Sequence, residues 1–164
     1  MKHLALVAAL AAAAGPASAL SCMRPDPVRA FTAASESEAR YIVVIGTFTF
    51  DEDKLPAGVV MDGTGVDPRP DPIPTRFAGQ GLTLDGFTTP MDMSVTLQPV
   101  CFGPWCGGMA SGVETLAFLR RDGGDYTVEA DPCGGWVFPE PSRATRQQMV
   151  DCLRGESCAP AEPF

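Results

Sequence analysis

Along most of this chain, apolar and polar positions alternate or gather in short β-branched blocks. A helical period appears only near the end. Tyr41-Ile-Val-Val-Ile-Gly-Thr-Phe-Thr-Phe50 is dense in β-branched and aromatic residues, with Phe48 and Phe50 set against Thr47 and Thr49 as in a half-buried strand. Asp51-Glu52-Asp53-Lys54 ends that strand and reads as a solvated hairpin tip; its three carboxylates are also a candidate calcium ligand set. Residues 55 to 76 carry prolines at 56, 68, 70, 72 and 74. The stretch Asp67 to Pro74, which lacks ladder N–H groups, is expected to run extended over the surface as a loop. Arg76 to Thr89 spaces Phe77, Leu82, Leu84 and Phe87 among glycines, which suits two short strands around a bend or bulge. Met93, Val95 and Leu97 then share one face of a strand over 93–100. Val113 to Arg120 and Tyr126 to Ala130 form a hairpin pair about the turn Asp122-Gly123-Gly124. The one helix expected follows Ser142 as N-cap, runs from Arg143 to Leu153 and stops at Gly155. Five to seven strands, Gly-rich bends and a terminal helix predict a mainly β fold, a small closed or nearly closed barrel rather than a βαβ unit.

The first residues add a compartment. Lys2, the apolar run Leu4 to Ala14, the break at Gly15-Pro16 and the small residues Ala17-Ser18-Ala19 read as a signal peptide over 1–19. That leaves 20–164 as a single domain with a short C-terminal tail. No later apolar run reaches the roughly 18 residues a transmembrane helix needs, so the chain is expected to be exported, periplasmic or extracellular. Export makes all six cysteines (22, 101, 106, 133, 152, 158) disulfide candidates, and spacing alone leaves their connectivity open. Cys101-Phe-Gly-Pro-Trp-Cys106 holds four residues between its thiols, not the two of a redox dithiol, and is read as a loop staple.

Charge and histidine content narrow the function. Twelve Lys and Arg stand against 20 Asp and Glu, for a net charge of −8. Such a surface repels phosphate and argues against nucleic acid as partner. His3, the only histidine, lies in the leader, so neither a Ser-His-Asp relay nor a histidine zinc site is available to the exported chain. No nucleophile elbow, phosphate-binding loop or dinucleotide fingerprint is present. The chain is read as a non-enzyme without cofactor or metal. Trp105, Trp136, Phe118 and Phe138 are assigned to packing, as are Met91, Met93 and Met109.

The order of cysteines and strands resembles the netrin-like, or tissue inhibitor of metalloproteinases-like, domain. Cys22-Met-Arg-Pro25 leads through Ala30-Phe31-Thr-Ala-Ala34 to Tyr41-Ile-Val-Val44. Val100-Cys101 precedes the hairpin, and its return strand leads to Asp131-Pro-Cys133. Trp136 and Phe138-Pro139 follow, and then the helix; the resemblance spans roughly 22–153. It implies a five-stranded OB-type barrel, stapled by Cys22–Cys101, Cys106–Cys133 and Cys152–Cys158.

It also implies a protein-binding role. Many netrin-like domains are interaction modules, and the inhibitors of the family chelate a metalloprotease zinc through the free α-amine and carbonyl of their first cysteine. Carried over, Cys22 would be the chelator, Met23, Arg24 and Pro25 would enter the substrate channel, and Gln98, Pro99, Val100 and Cys101 would form the adjoining ridge. The inhibitors usually open with Cys-x-Cys, which Cys22-Met23-Arg24 does not. The leader permits three ends: cleavage after Ala19, which leaves Leu20-Ser21 blocking Cys22; cleavage after Ser21, which frees its amine; or reading Ala19-Leu-Ser-Cys22 as an imperfect lipobox, which makes Cys22 a lipid anchor. A binding module is the leading expectation and a zinc-metalloendopeptidase inhibitor the alternative. The mature N-terminus discriminates the two.

Overall fold

The computed structural model describes residues 20–57 and 69–161. Residues 1–19, where the signal peptide was expected, 58–68 of the Pro-rich stretch and 162–164 lie outside the described residues. Among the described residues, the α-helices and strands follow in order. These are α1 (Pro27–Glu36), β1 (Arg40–Thr49), β2 (Ile73–Thr83), β3 (Gly86–Pro99), β4 (Cys101–Phe102), β5 (Trp105–Cys106), β6 (Glu114–Asp122), β7 (Asp125–Ala130), β8 (Val137–Pro139) and α2 (Arg143–Arg154). A single 3-10 turn, Glu52–Lys54, follows β1. The fold is mainly β, as expected.

β1 pairs antiparallel with β2, β2 with β3, and β6 with both β7 and β1; β3 and β7 run parallel, so the pairings close on themselves as β1-β2-β3-β7-β6-β1. Each of these five strands sends side chains to one core: Val44 and Phe48, Ile73 and Phe77, Val95 and Leu97, Ala117 and Leu119, Val128 and Ala130. A second core lies on the other face of β6, where Leu116 and Phe118 meet Val28 and Ala30 of α1, Phe138 of β8 and Met149 and Cys152 of α2. Both faces of β6 are therefore buried. That is why Thr115 to Leu119 show no alternation: a strand covered on both sides has no polar face to offer.

The hairpin β2–β3 carries its expected bulge between Gly81 and Leu82, and β6–β7 turns at Gly123 with φ 64°. α2 is capped as its sequence requires: the Ser142 Oγ accepts from the Thr145 N–H at 3.0 Å, and Gly155 ends it at φ 74°. Phe118, Phe138 and Trp136 pack together edge-on, and Met91, Met93 and Met109 line the first core.

Four expectations are corrected. The segment leading to β1 is a helix, α1, because Asp26 is an N-cap whose carboxylate accepts from Val28 N–H at 2.8 Å and Pro27 is pre-set for the first helical position. The strand β2 begins inside the Pro-rich stretch, at Ile73-Pro74. Pro74 lies beyond the end of the β1 pairing, where β3 is the only neighbour, and a missing N–H is tolerated at such an edge. The acidic 51–53 run is a capped 3-10 turn, with Asp51 accepting from Asp53 N–H and Glu52 from Ser111 N–H at 2.6 Å, so two of its carboxylates pin backbone. The crosslinks, finally, are Cys22–Cys133, Cys101–Cys106 and Cys152–Cys158. Only the third matches the pairing the resemblance implied. Cys101 and Cys106 stand directly opposite in the β4–β5 ladder with Cα atoms 4.0 Å apart, which commits them to each other and leaves Cys133 to Cys22.

Candidate functional site

The chain leaving β7 organises the N-terminal face. Asp131 accepts from Cys133 N–H at 2.7 Å and from Gly135 N–H at 3.0 Å, folding residues 131–135 into a tight Asx-type turn. On one side of this turn Cys133 holds Cys22 (Cα–Cα 5.3 Å), and the Pro25 ring lies over Gly134. On the other side the Val100 N–H donates to Ala130 O, and the Gly107 N–H donates to Val100 O, both at 2.9 Å. Gly107 is there because nothing larger fits. A Cβ would collide with the carbonyl of Ala130 and the backbone of Asp131.

The structure thus brings the two sequence-derived segments to opposite sides of 130–135 but does not join them. Cys22, Met23, Arg24 and Pro25 form an exposed segment without regular structure, with Met23 70% exposed. The other four do not make a ridge: Pro99 and Cys101 are buried, Val100 is half-buried, and Gln98 spends its amide on Pro70 O at 2.8 Å and Pro99 O at 3.0 Å. Phe102, 44% exposed, takes the outer position instead, paired across the β4–β5 hairpin with half-buried Trp105. The signal for it was present in the Cys-Phe-Gly-Pro-Trp-Cys run, a closed hairpin whose aromatics flank a Gly-Pro turn.

Two shallow apolar depressions adjoin at Pro25 and Cys133. One, of about 450 Å³, is lined by Met23, Ala30, Ala33 and Trp136; the other, of about 460 Å³, by Leu20, Trp105, Pro132 and Phe138. Trp136 stacks on Tyr41 with centroids 4.9 Å apart. Burial pushes the Tyr41 phenol above its usual range, and the nearby Glu129 carboxylate pushes it the same way. Behind Met23, Arg29 and Asp26 clamp the tail: Arg29 donates to Ala161 O at 2.9 Å, and Ala161 N–H donates to Asp26 at 2.7 Å.

The arrangement offers apolar surface and fixed backbone, not reactive groups. Among the described residues no cluster of His, Cys, Asp or Glu could hold a metal ion, and every described cysteine is crosslinked. No described helix is long and apolar enough to cross a membrane. Comparison with protein-family models, with curated proteins and with solved structures returned no match.

Proposed function

We propose that this chain is an exported, netrin-like protein-binding module that docks its partner through the N-terminal face. The observation that carries the reading is the pairing of exposed large apolar side chains with covalent anchors. Among the described residues Met23, Leu84, Phe102 and Leu153 are the exposed large apolar side chains. Met23, Phe102 and Leu153 each adjoin a crosslinked cysteine, and Met23 is the most exposed and borders the apolar depression at Trp136. Ordered before contact, such side chains lose little entropy on binding. The closed ring order with its parallel β3–β7 pair supports reading the sheet as a small OB-type barrel of five strands. Three disulfides suit an oxidising compartment, periplasmic or extracellular, and the Cys22–Cys133 crosslink occupies the Sγ atom that a lipid anchor at Cys22 would need, so the lipobox alternative is left out of this reading.

The test is capture of a partner from the secreted proteins of the native host on the immobilised, oxidised chain. A partner lost on Met23→Ala and Phe102→Ala, but retained by the distant Ser94→Ala, supports the module. Retention by the first two variants would sink it.

The inhibitor reading rests on one favouring observation. Cys22 opens an exposed segment fixed by its crosslink to Cys133, just beyond the end of β7. In that reading Cys22 supplies amine and carbonyl to a protease zinc, with Met23 beside it. Inhibition of a zinc endopeptidase by a chain beginning at Cys22, and not by one beginning at Leu20, is its test.

A further inference from the structure

At the opposite end of β7 from Ala130 lies another groove. It holds about 540 Å³ and is lined by Thr49, Pro72, Pro74, Thr75, Arg76, Ser94, Val95, Thr96, Asp125 and Tyr126. That volume is within the roughly 300–1,000 Å³ of small-molecule sites.

The lining selects by elimination. The hydroxyls of Thr49, Ser94, Thr96 and Tyr126 make no hydrogen bond among the described residues, so each can both donate and accept toward a ligand. Four such groups set among apolar lining suit an occupant that has both hydroxyls and C–H surface. The one guanidinium, Arg76, is already engaged by Asp92 at 2.6 Å, and Asp125 adds an unpaired carboxylate, so an anion would meet repulsion. A divalent cation would find too few carboxylates. A neutral, many-hydroxyl ligand fits what is left. Its O–H groups would meet the free hydroxyls and the Asp125 carboxylate, and its C–H surface the apolar part of the lining.

We infer that the groove between β2, β3 and the start of β7 is a binding site for neutral carbohydrate, separate from the N-terminal face. The experiment is an amide-resolved NMR titration of the oxidised protein with maltotriose, cellotriose and chitotriose, each to about 20 mM. The expected result is saturable shifts at Thr75, Ser94, Thr96 and Tyr126 with at least one trisaccharide. Affinity should fall about 5- to 10-fold in Tyr126→Phe, which removes one hydroxyl and keeps the packing, and similarly in exposed Asp125→Asn. Met23→Ala should titrate as the unaltered chain. No shift with any of the three, shifts confined to other surfaces, or groove shifts produced by hexathymidylate in place of the sugars would each overturn the proposal.

Discussion

The two ends of β7 are built on different principles. At Ala130 the chain leaves the sheet, and the face beyond it is held by a crosslink, an Asx-type turn and the close approach of Gly107. At Asp125 the strand begins within the ring itself, and the groove there rests on ladders to β3 and β6 without any cysteine. Where paired strands already fix the backbone, side chains need no staple. Where two segments far apart in sequence must be held together off the sheet, covalent anchoring replaces the ladder.

The largest way to break this comparison is to remove the crosslinks one at a time. Cys22–Cys133 joins residues 111 apart, whereas Cys101–Cys106 joins residues 5 apart. In the chain-entropy account their losses are about 5 and about 2 kcal/mol. Denaturant unfolding of Cys22→Ser/Cys133→Ser and Cys101→Ser/Cys106→Ser should therefore rank in that order. Amide shifts in the first variant should gather at 130–136 and leave the groove residues in place; equal losses would contradict the ranking.

Gly107→Ala is next. Forcing a Cβ into the Ala130–Asp131 backbone should cost about 3 kcal/mol, while Ser94→Ala at the other end stays within about 0.5 kcal/mol in the same denaturation measurement.

How much of this was legible in the sequence depended on how local the cause is. The β6–β7 hairpin was readable from Asp122-Gly123-Gly124, and α2 from Ser142 and Gly155, because each is decided by residues within a turn of it. Met93, Val95 and Leu97 showed their common face because β3 has one buried side there. The crosslinks were harder. Cys152–Cys158 spans a single short loop, but which cysteine meets Cys22 depends on where β7 ends relative to α1, a fact of the closed ring. α1 was missed although Asp26-Pro27 is an adequate start signal, since its buried stripe is short (Val28, Ala30, Phe31 and Ala34) and its packing against β6 decides it. On the N-terminal face the sequence reading singled out Cys22–Pro25, which is exposed, and passed over Phe102, which is exposed too. Pattern reading separates apolar from polar positions, and it cannot say which aromatic of a closed hairpin faces outward.

Smaller effects sharpen the picture. Ser142→Ala removes the cap of α2 and should cost about 1 kcal/mol by thermal unfolding, with no change at either end of β7. The pH dependence is slighter still. Tyr41 has a folded-state value raised above 10.0 by burial, so its contribution is complete below that pH and is lost as pH rises through the folded value. Tm should decline above about pH 10 more steeply in the unaltered chain than in Tyr41→Phe.

The most direct test of the account is non-reduced peptide mapping of the protein from its native host by mass spectrometry, read together with its N-terminal residue. The account predicts Cys22–Cys133, Cys101–Cys106 and Cys152–Cys158. A Cys22–Cys101 linkage would contradict it, because the N-terminal segment would then be held by the β4–β5 hairpin and not by the turn that follows β7.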